Sequence, residues 1–359
     1  MVDVAAAAGV SPTTASFVLN GRGSSIPVGT RQRVLDTARE LEYTPNSSAR
    51  ALATGRTNRI GIVLNTPDSF GTRDAYFAQI LSGIVAAASR FNCNVLLHTA
   101  RYSDWRELES DILSGSSDGV ILVGRYASDV LTRALLDAEF PTVCTSYNID
   151  HPRCYSVDCD NEAAARIAVN HLYECGHRNL VLFYPGEDIS WGQERRRGAR
   201  SAADNLVQDG VDLQEFTWTE TELPTLEWCR SAIAFLKSRP VTPTGIVCCD
   251  EIRARTLLEM LPEHGMSVPE DVALVSFNST EISARAHPPM TSVFQPLQEI
   301  GGAAVEMLVS LIDGQPGEKD RRLPVVLHRR MSCGAESEAD GTAVVRCASA
   351  SRETFVGSP

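Results

Sequence analysis

The sequence predicts a small all-α head followed by an α/β core of two lobes, each a doubly wound parallel sheet. Three observations carry that expectation. The first 58 residues hold helix and turn signals but no strand pattern. From Arg59 onward, apolar runs of five or six residues alternate with helical stretches, as parallel strands covered on both faces require. This rhythm comes in two runs of comparable length, which implies two similar lobes with a cleft between them. The 359 residues suffice for two or three domains, and an apolar fraction of 43% excludes disorder over most of the chain.

In the head, residues 3–8 form a short alanine-rich helix that Gly9 ends. Ser11 caps a second helix, with Pro12 at its first position where no amide hydrogen is missed, and Asn20-Gly21 stops it. A third helix covers 29–41, its apolar positions Val34, Leu35, Ala38 and Leu41 recurring at three to four residues. Pro45 breaks the chain, and Asn46 caps a short helix over 47–53 before Gly55. In the core, strands are expected over 60–64, 94–98, 119–123, 141–145, 179–184, 245–249, 272–277 and 325–328. Helices are expected over 75–91, 105–113, 128–138, 161–175, 193–207, 225–237, 252–261 and 297–312. Residues 334–359 are small and polar without periodicity and read as a disordered tail.

A formal charge of −12 at first argues against a polyanionic partner. The mean hides a division. Residues 1–60 carry seven arginines against four acids, a net of +3, which leaves 26 basic against 41 acidic groups, or −15, elsewhere. Only Lys237 and Lys319 among the 33 basic residues are lysines. The ten cysteines come without a visible secretory signal and without paired C-x-x-C and histidine spacings, so they read as reduced thiols packed as small hydrophobes, with no metal. No run of about 18 uncharged apolar residues exists to span a membrane.

Two short helices joined by a glycine turn, Asp3-Val4-Ala5 through Ala8-Gly9-Val10-Ser11 to Val18-Leu19-Asn20-Gly21, have helix-turn-helix spacing. The ordered set continues through Thr30-Arg31-Gln32-Arg33-Val34, Tyr43-Thr44-Pro45-Asn46, Ala49-Arg50-Ala51-Leu52 and Thr57-Asn58-Arg59-Ile60-Gly61. It resembles the head of the LacI/GalR family of bacterial transcriptional regulators. The resemblance implies that the helix starting at Ser11 reads DNA, with Pro12, Thr13, Thr14, Ser16, Phe17 and Asn20 at or near the bases. Where the family usually carries arginine, this chain has Phe17, which replaces a guanine fork by apolar contact such as with a thymine methyl. Asn46, Ala49 and Arg50 fall in the family's hinge, and Leu52 on its minor-groove wedge, with packing on the lobe as the alternative.

The rest of the chain resembles the family's periplasmic-binding-protein-like effector core, on Ser117-Asp118-Gly119-Val120-Ile121, Gly176-His177-Arg178, Arg195-Arg196-Arg197-Gly198, Cys249-Asp250-Glu251 and Phe294-Gln295-Pro296. That implies a ligand cleft lined by Tyr76, Phe77, Trp191, Arg195, Asp250, Glu251, Asn278 and Phe294. Arg195 is expected to fork onto ligand hydroxyls or a carboxylate; Asp250 has a helix-capping alternative, and each aromatic a plain core role. The expected boundaries are 1–45 for the head, 46–58 for the hinge and linker, and 59–333 for the core. Within it the first lobe takes 59–160 and 291–322, and the second 161–290 and 323–333.

The implied function is a cytoplasmic, nucleoid-associated repressor that binds a palindromic operator as a homodimer and senses a sugar-like effector. The alternative is a sugar-binding transport-type protein without a regulatory role, which needs an export signal and no head. No phosphate loop, nucleophile elbow or His–His i,i+4 pair is present, so neither a cofactor nor catalysis is expected.

Overall fold

The computed structural model describes residues 1–21, 24–44, 51, 54–64, 75–100, 102, 104–124, 129–186, 189–218, 225–334 and the backbone of 344–346. The head consists of α1 (Val2–Ala7), α2 (Pro12–Leu19) and α3 (Val28–Glu40). Val4, Ala5, Ala8, Ala15, Val18, Val34 and Ala38 close a small core among them, supplied by inward positions three or four residues apart. Gly9 sits at φ +65, where only a residue without Cβ turns the chain at no steric cost.

The first lobe is a six-stranded parallel sheet in the order β11-β5-β4-β3-β1-β2. Its strands are β1 (Arg59–Leu64), β2 (Asn94–Leu97), β3 (Gly119–Val123), β4 (Thr142–Thr145), β5 (Tyr155–Cys159) and β11 (Asp320–Leu323). Helices α4 (Ala75–Arg90), α5 (Trp105–Asp111) and α6 (Val130–Asp137) connect them. β3 is buried at every position, as a central strand covered on both sides must be.

The second lobe has the order β13-β12-β10-β9-β8-β6-β7. β6 (Asn179–Pro185), β7 (Asp212–Trp218), β8 (Gly245–Cys248), β9 (Ala273–Asn278) and β10 (Thr291–Phe294) run parallel. β12 (Val326–His328) and β13 (Val344–Arg346) add antiparallel pairs at one edge. Its helices are α7 (Asn161–Glu174), α8 (Ser190–Asn205), α9 (Thr225–Lys237), α10 (Glu251–Met260) and the short α11 (Glu281–Ala284). α12 (Leu297–Ile312) returns to the first lobe and crosses α4 so closely that a Cβ on Gly301 would stand 2.2 Å from the Ile80 carbonyl oxygen. Of the two lysines, Lys237 ends α9 in the second lobe, and Lys319 precedes β11 in the first, where Nζ donates to the Pro152 carbonyl.

Three expectations change. Thr291–Phe294 pairs with β9 and β12, so it belongs to the second lobe, and the return to the first lobe falls at Gln295-Pro296. In the expected disordered tail, Val344–Arg346 instead pairs its backbone with β12. Strands β5, β7, β10 and β11 join the sheets although their polar or short sequences conceal them; β7, an edge strand, stays half exposed along most of its length and buries only Trp218.

Candidate functional site

The head directs one face of α2 outward. The Ser11 hydroxyl accepts from the Thr14 amide at 3.1 Å and so satisfies one of the orphan donors of the first turn. Because Ala15 and Val18 point into the head core, the helical period turns Pro12, Thr13 and Phe17 to solvent, with Phe17 47% exposed. The hydroxyls of Ser11 and Thr14 lie 2.9 Å apart, and Asn20 Nδ2 donates to Ser16 Oγ at 3.2 Å. Local bonds therefore hold the polar side chains of this face in place. From α3, Arg33 Nε donates to the Ala8 carbonyl at 2.9 Å and locks the turn that orients α2.

The chain enters the first lobe through a bonded junction. Asp118 accepts from the Thr57 amide (2.6 Å), the Thr57 hydroxyl (2.8 Å) and the Asn58 amide (2.8 Å). Arg56 pairs with Asp313 at 2.6 Å and donates to the Ile312 carbonyl at 2.8 Å, at the end of α12. A cavity of about 650 Å³ opens here, between Arg56, Asp118 and Phe140. It lies away from the expected ligand residues.

Between the lobes, Arg195 is the organising group. It is 4% exposed, with its guanidinium 4.2 Å from the Phe277 ring centre and 4.6 Å from that of Trp191. Nε donates to Asn161 Oδ1 at 2.9 Å and Nη1 to the Cys249 carbonyl at 2.7 Å. Such a held guanidinium presents its remaining edge with little entropy left to lose. Arg196 and Arg197, one step around α8, instead pair with Glu215 and Glu162 at the surface.

Asn161 links this arginine to a charged network. Its Nδ2 donates to Asp158 Oδ2 (2.9 Å) and Glu194 Oε2 (3.1 Å), and Arg322 meets both oxygens of Glu194 at 3.0 Å. Burial pushes the Asp158 carboxyl up to about 6 against the opposing pull of Arg322. Tyr76, from the start of α4, bonds its hydroxyl to Ser146, and burial with the Asp158 charge beside it raises that phenol far above its usual range. A second bridge runs from Cys159 Sγ through Gln295 to Asn278, with Gln295 Nε2 donating to Asn278 Oδ1 at 2.6 Å.

The first 46 residues match the family model of bacterial regulatory proteins of the lacI family, and residues 169–333 match that of a periplasmic binding protein-like domain. The chain is 31% identical over 321 residues to the HTH-type transcriptional regulator CelR of Thermobifida fusca, covering 89% of this chain and 93% of that one. It belongs to the LacI family. Catabolite control protein A of Priestia megaterium is 28% identical, over 87% of this chain and 92% of its own. Among solved structures, a CelR–cellobiose complex superposes with a TM-score of 0.68 at 27% identity, covering 92% and 98% of the two chains. The lac repressor dimer bound to operator and an anti-inducer gives 0.75 at 24% identity, covering 93% and 99%, a likeness of fold.

In this LacI-family chain the expected cleft residues divide. Trp191, Arg195 and Asn278 join one network through Asn161, Cys159 and Gln295, and Tyr76, bonded to Ser146, lies beside its Asp158 charge. Phe77 packs edge-on against Tyr76, and Phe294 stacks on His328 at 5.0 Å. Asp250 caps α10 by accepting from the Arg253 amide at 2.7 Å, the capping alternative, while 26% of its side chain stays exposed. Glu251 differs from expectation. It is 2% exposed, and its carboxylate is taken up by the amides and hydroxyls of Thr280 and Ser283, so it braces α11. Asn46, Ala49, Arg50 and Leu52 lie outside the described residues. Sequence reasoning missed Asp158, Asn161, Glu194 and Arg322. Only the cluster of Asp158, Asp160 and Asn161 opening a helix after a short apolar run offered a signal.

Proposed function

We propose that this chain is a ligand-responsive DNA-binding repressor that acts as a dimer on a palindromic operator and senses a sugar-like molecule held between its lobes. The observation that carries the reading is the capped α2, which presents Pro12, Thr13 and Phe17 to solvent on a basic head ahead of an acidic two-lobed core. A helix so displayed enters the major groove, and the arginines around it add salt-sensitive phosphate contacts. The lac repressor dimer bound to operator has the same architecture.

A sugar fits the cleft chemistry. The aromatic faces of Trp191 and Phe277 flank a guanidinium whose Nη2 has no hydrogen-bond partner among the described residues, and Asn278, whose Oδ1 accepts from Gln295, has an amide NH₂ able to donate to a ligand hydroxyl. The CelR relative whose complex holds cellobiose makes β-linked glucose disaccharides the first class to test. Asn46, Ala49, Arg50 and Leu52 complete the DNA contact in this reading, with no cofactor and no catalytic step.

The test is an electrophoretic titration of palindromes from the protein's own promoter against random duplexes, with and without cellobiose and a panel of other sugars. Palindrome preference, altered by one sugar, is the expected result. Equal affinity for both duplexes overturns the repressor reading.

A further inference from the structure

The far end of the second lobe gathers three soft ligands that the cleft does not use. His171 and Cys175 stand four residues apart at the C-terminal end of α7, so they share one helix face. Cys333 reaches the same point from the short helical turn Met331–Cys333, on the last stretch of the core before Gly334. His171 Nε2 lies 3.0 Å from Cys333 Sγ and 3.7 Å from Cys175 Sγ, and all three ligand atoms fall within 4.8 Å of one another.

We propose that His171 Nε2, Cys175 Sγ and Cys333 Sγ form a binding site for a thiophilic divalent cation, Zn²⁺ above all. In a tetrahedral zinc site, bonds of about 2.0–2.1 Å to nitrogen and 2.3 Å to sulfur set ligand atoms about 3.5 Å apart, a value the two observed nitrogen–sulfur distances bracket. Two thiolates and an imidazole select zinc over magnesium or manganese, whose preference is for oxygen. His171 and Cys333 are 4% and 1% exposed, which shields the ion from water, whereas Cys175 is exposed and gives the ion a way in. A water on the Cys175 side completes four-coordination.

The ion would clamp the end of the core to α7. Cys333 is held from its other side by Thr291 Oγ1 at 2.9 Å, and Ser332 Oγ accepts from the Thr291 amide, so this segment is already positioned against β10. The ligand atoms thus need little rearrangement to close on a metal. Each cation bound releases the protons of both thiols.

The experiment uses the full chain, purified under reducing conditions and freed of metal by a chelator, then titrated with CoCl₂ and ZnCl₂. Cobalt is expected to bind at one equivalent per chain with a thiolate charge-transfer band in the near ultraviolet, and stoichiometric ZnCl₂ to displace it. ZnCl₂ should raise Tm, and MgCl₂ should leave it unchanged. Cys175→Ser, at an exposed position that the core does not need, should weaken cobalt binding at least tenfold and lower the band, and Cys333→Ser should do the same. Absence of the band, or a band that survives both substitutions, overturns the proposal. So does a Cys175–Cys333 disulfide found by peptide mass mapping of unreduced protein that persists through the reduction step.

Discussion

At the scale of single residues, Arg195 and Asp158 set the character of the cleft. Arg195 spends Nε and Nη1 on Asn161 and the Cys249 carbonyl while stacked between two rings, so its position depends on the planar fork. Arg195→Lys keeps the charge but neither the stacking nor both bonds. Effector affinity measured by calorimetry should fall about 10- to 100-fold, since each charge-assisted bond is worth roughly 1.5–3 kcal/mol. Retention of affinity within twofold would remove Arg195 from the site. The pKa of Asp158 is shifted upward, opposite to that of a carboxyl held mainly by an ion pair. Burial lifts it from 3.8 to about 6, so the folded state favours the proton. The stability it lends is complete below pH 4 and lost as pH rises through 6. Asp158→Asn should therefore flatten this part of the Tm profile between pH 4 and 6 and exceed the parent in Tm at pH 7.5. A parallel pair of profiles would refute the assignment. Arg195 was legible in the sequence because it opens a motif; Asp158 and its partner Arg322 were not, because residues far apart in the chain make that pair.

At the scale of elements, helix contacts depend on where glycine permits close approach. Gly83 and Gly301 lie at the crossing of α4 and α12, where added Cβ atoms would come 1.9 Å from the Gln298 carbonyl oxygen and 2.2 Å from that of Ile80. Gly302, one residue on, has nothing within 4 Å. Gly301→Ala should cost at least 1–3 kcal/mol, the usual range for overpacking, because backbone cannot step aside. Gly302→Ala should gain about 0.5–1 kcal/mol from helix propensity. Urea unfolding of the two variants reads the difference, and equal midpoints would deny the close crossing. Strong periodicity made α3, α4, α7, α9 and α12 readable in advance. Strands β5, β7, β10 and β11 escaped because edge or polar strands acquire their identity from a neighbour's ladder, which no local pattern records.

Across the whole molecule, the net charge of −12 averages a basic head with an acidic body, and the boundary between them falls close to the Asp118 junction. Three donors from Thr57 and Asn58 converge on that one carboxylate, so it ties the first lobe to the segment leading to the head. Asp118→Ala should leave effector affinity within twofold of the parent while shrinking the effector's influence on operator affinity, both read by titration. An undiminished influence would place the coupling elsewhere. The two-lobed plan was visible from the double run of strands and helices, yet the true crossing at Gln295-Pro296 was not, because β10 and α12 are adjacent in sequence and part company in space. The scarcity of lysine has a practical consequence. With Lys237 on one lobe and Lys319 on the other, an amine-reactive donor–acceptor dye pair lands, apart from the N-terminus, on two points that separate or approach as the lobes move. The native chain thus carries its own ruler for lobe closure, and lysine acetylation has no side chain in the head to neutralise.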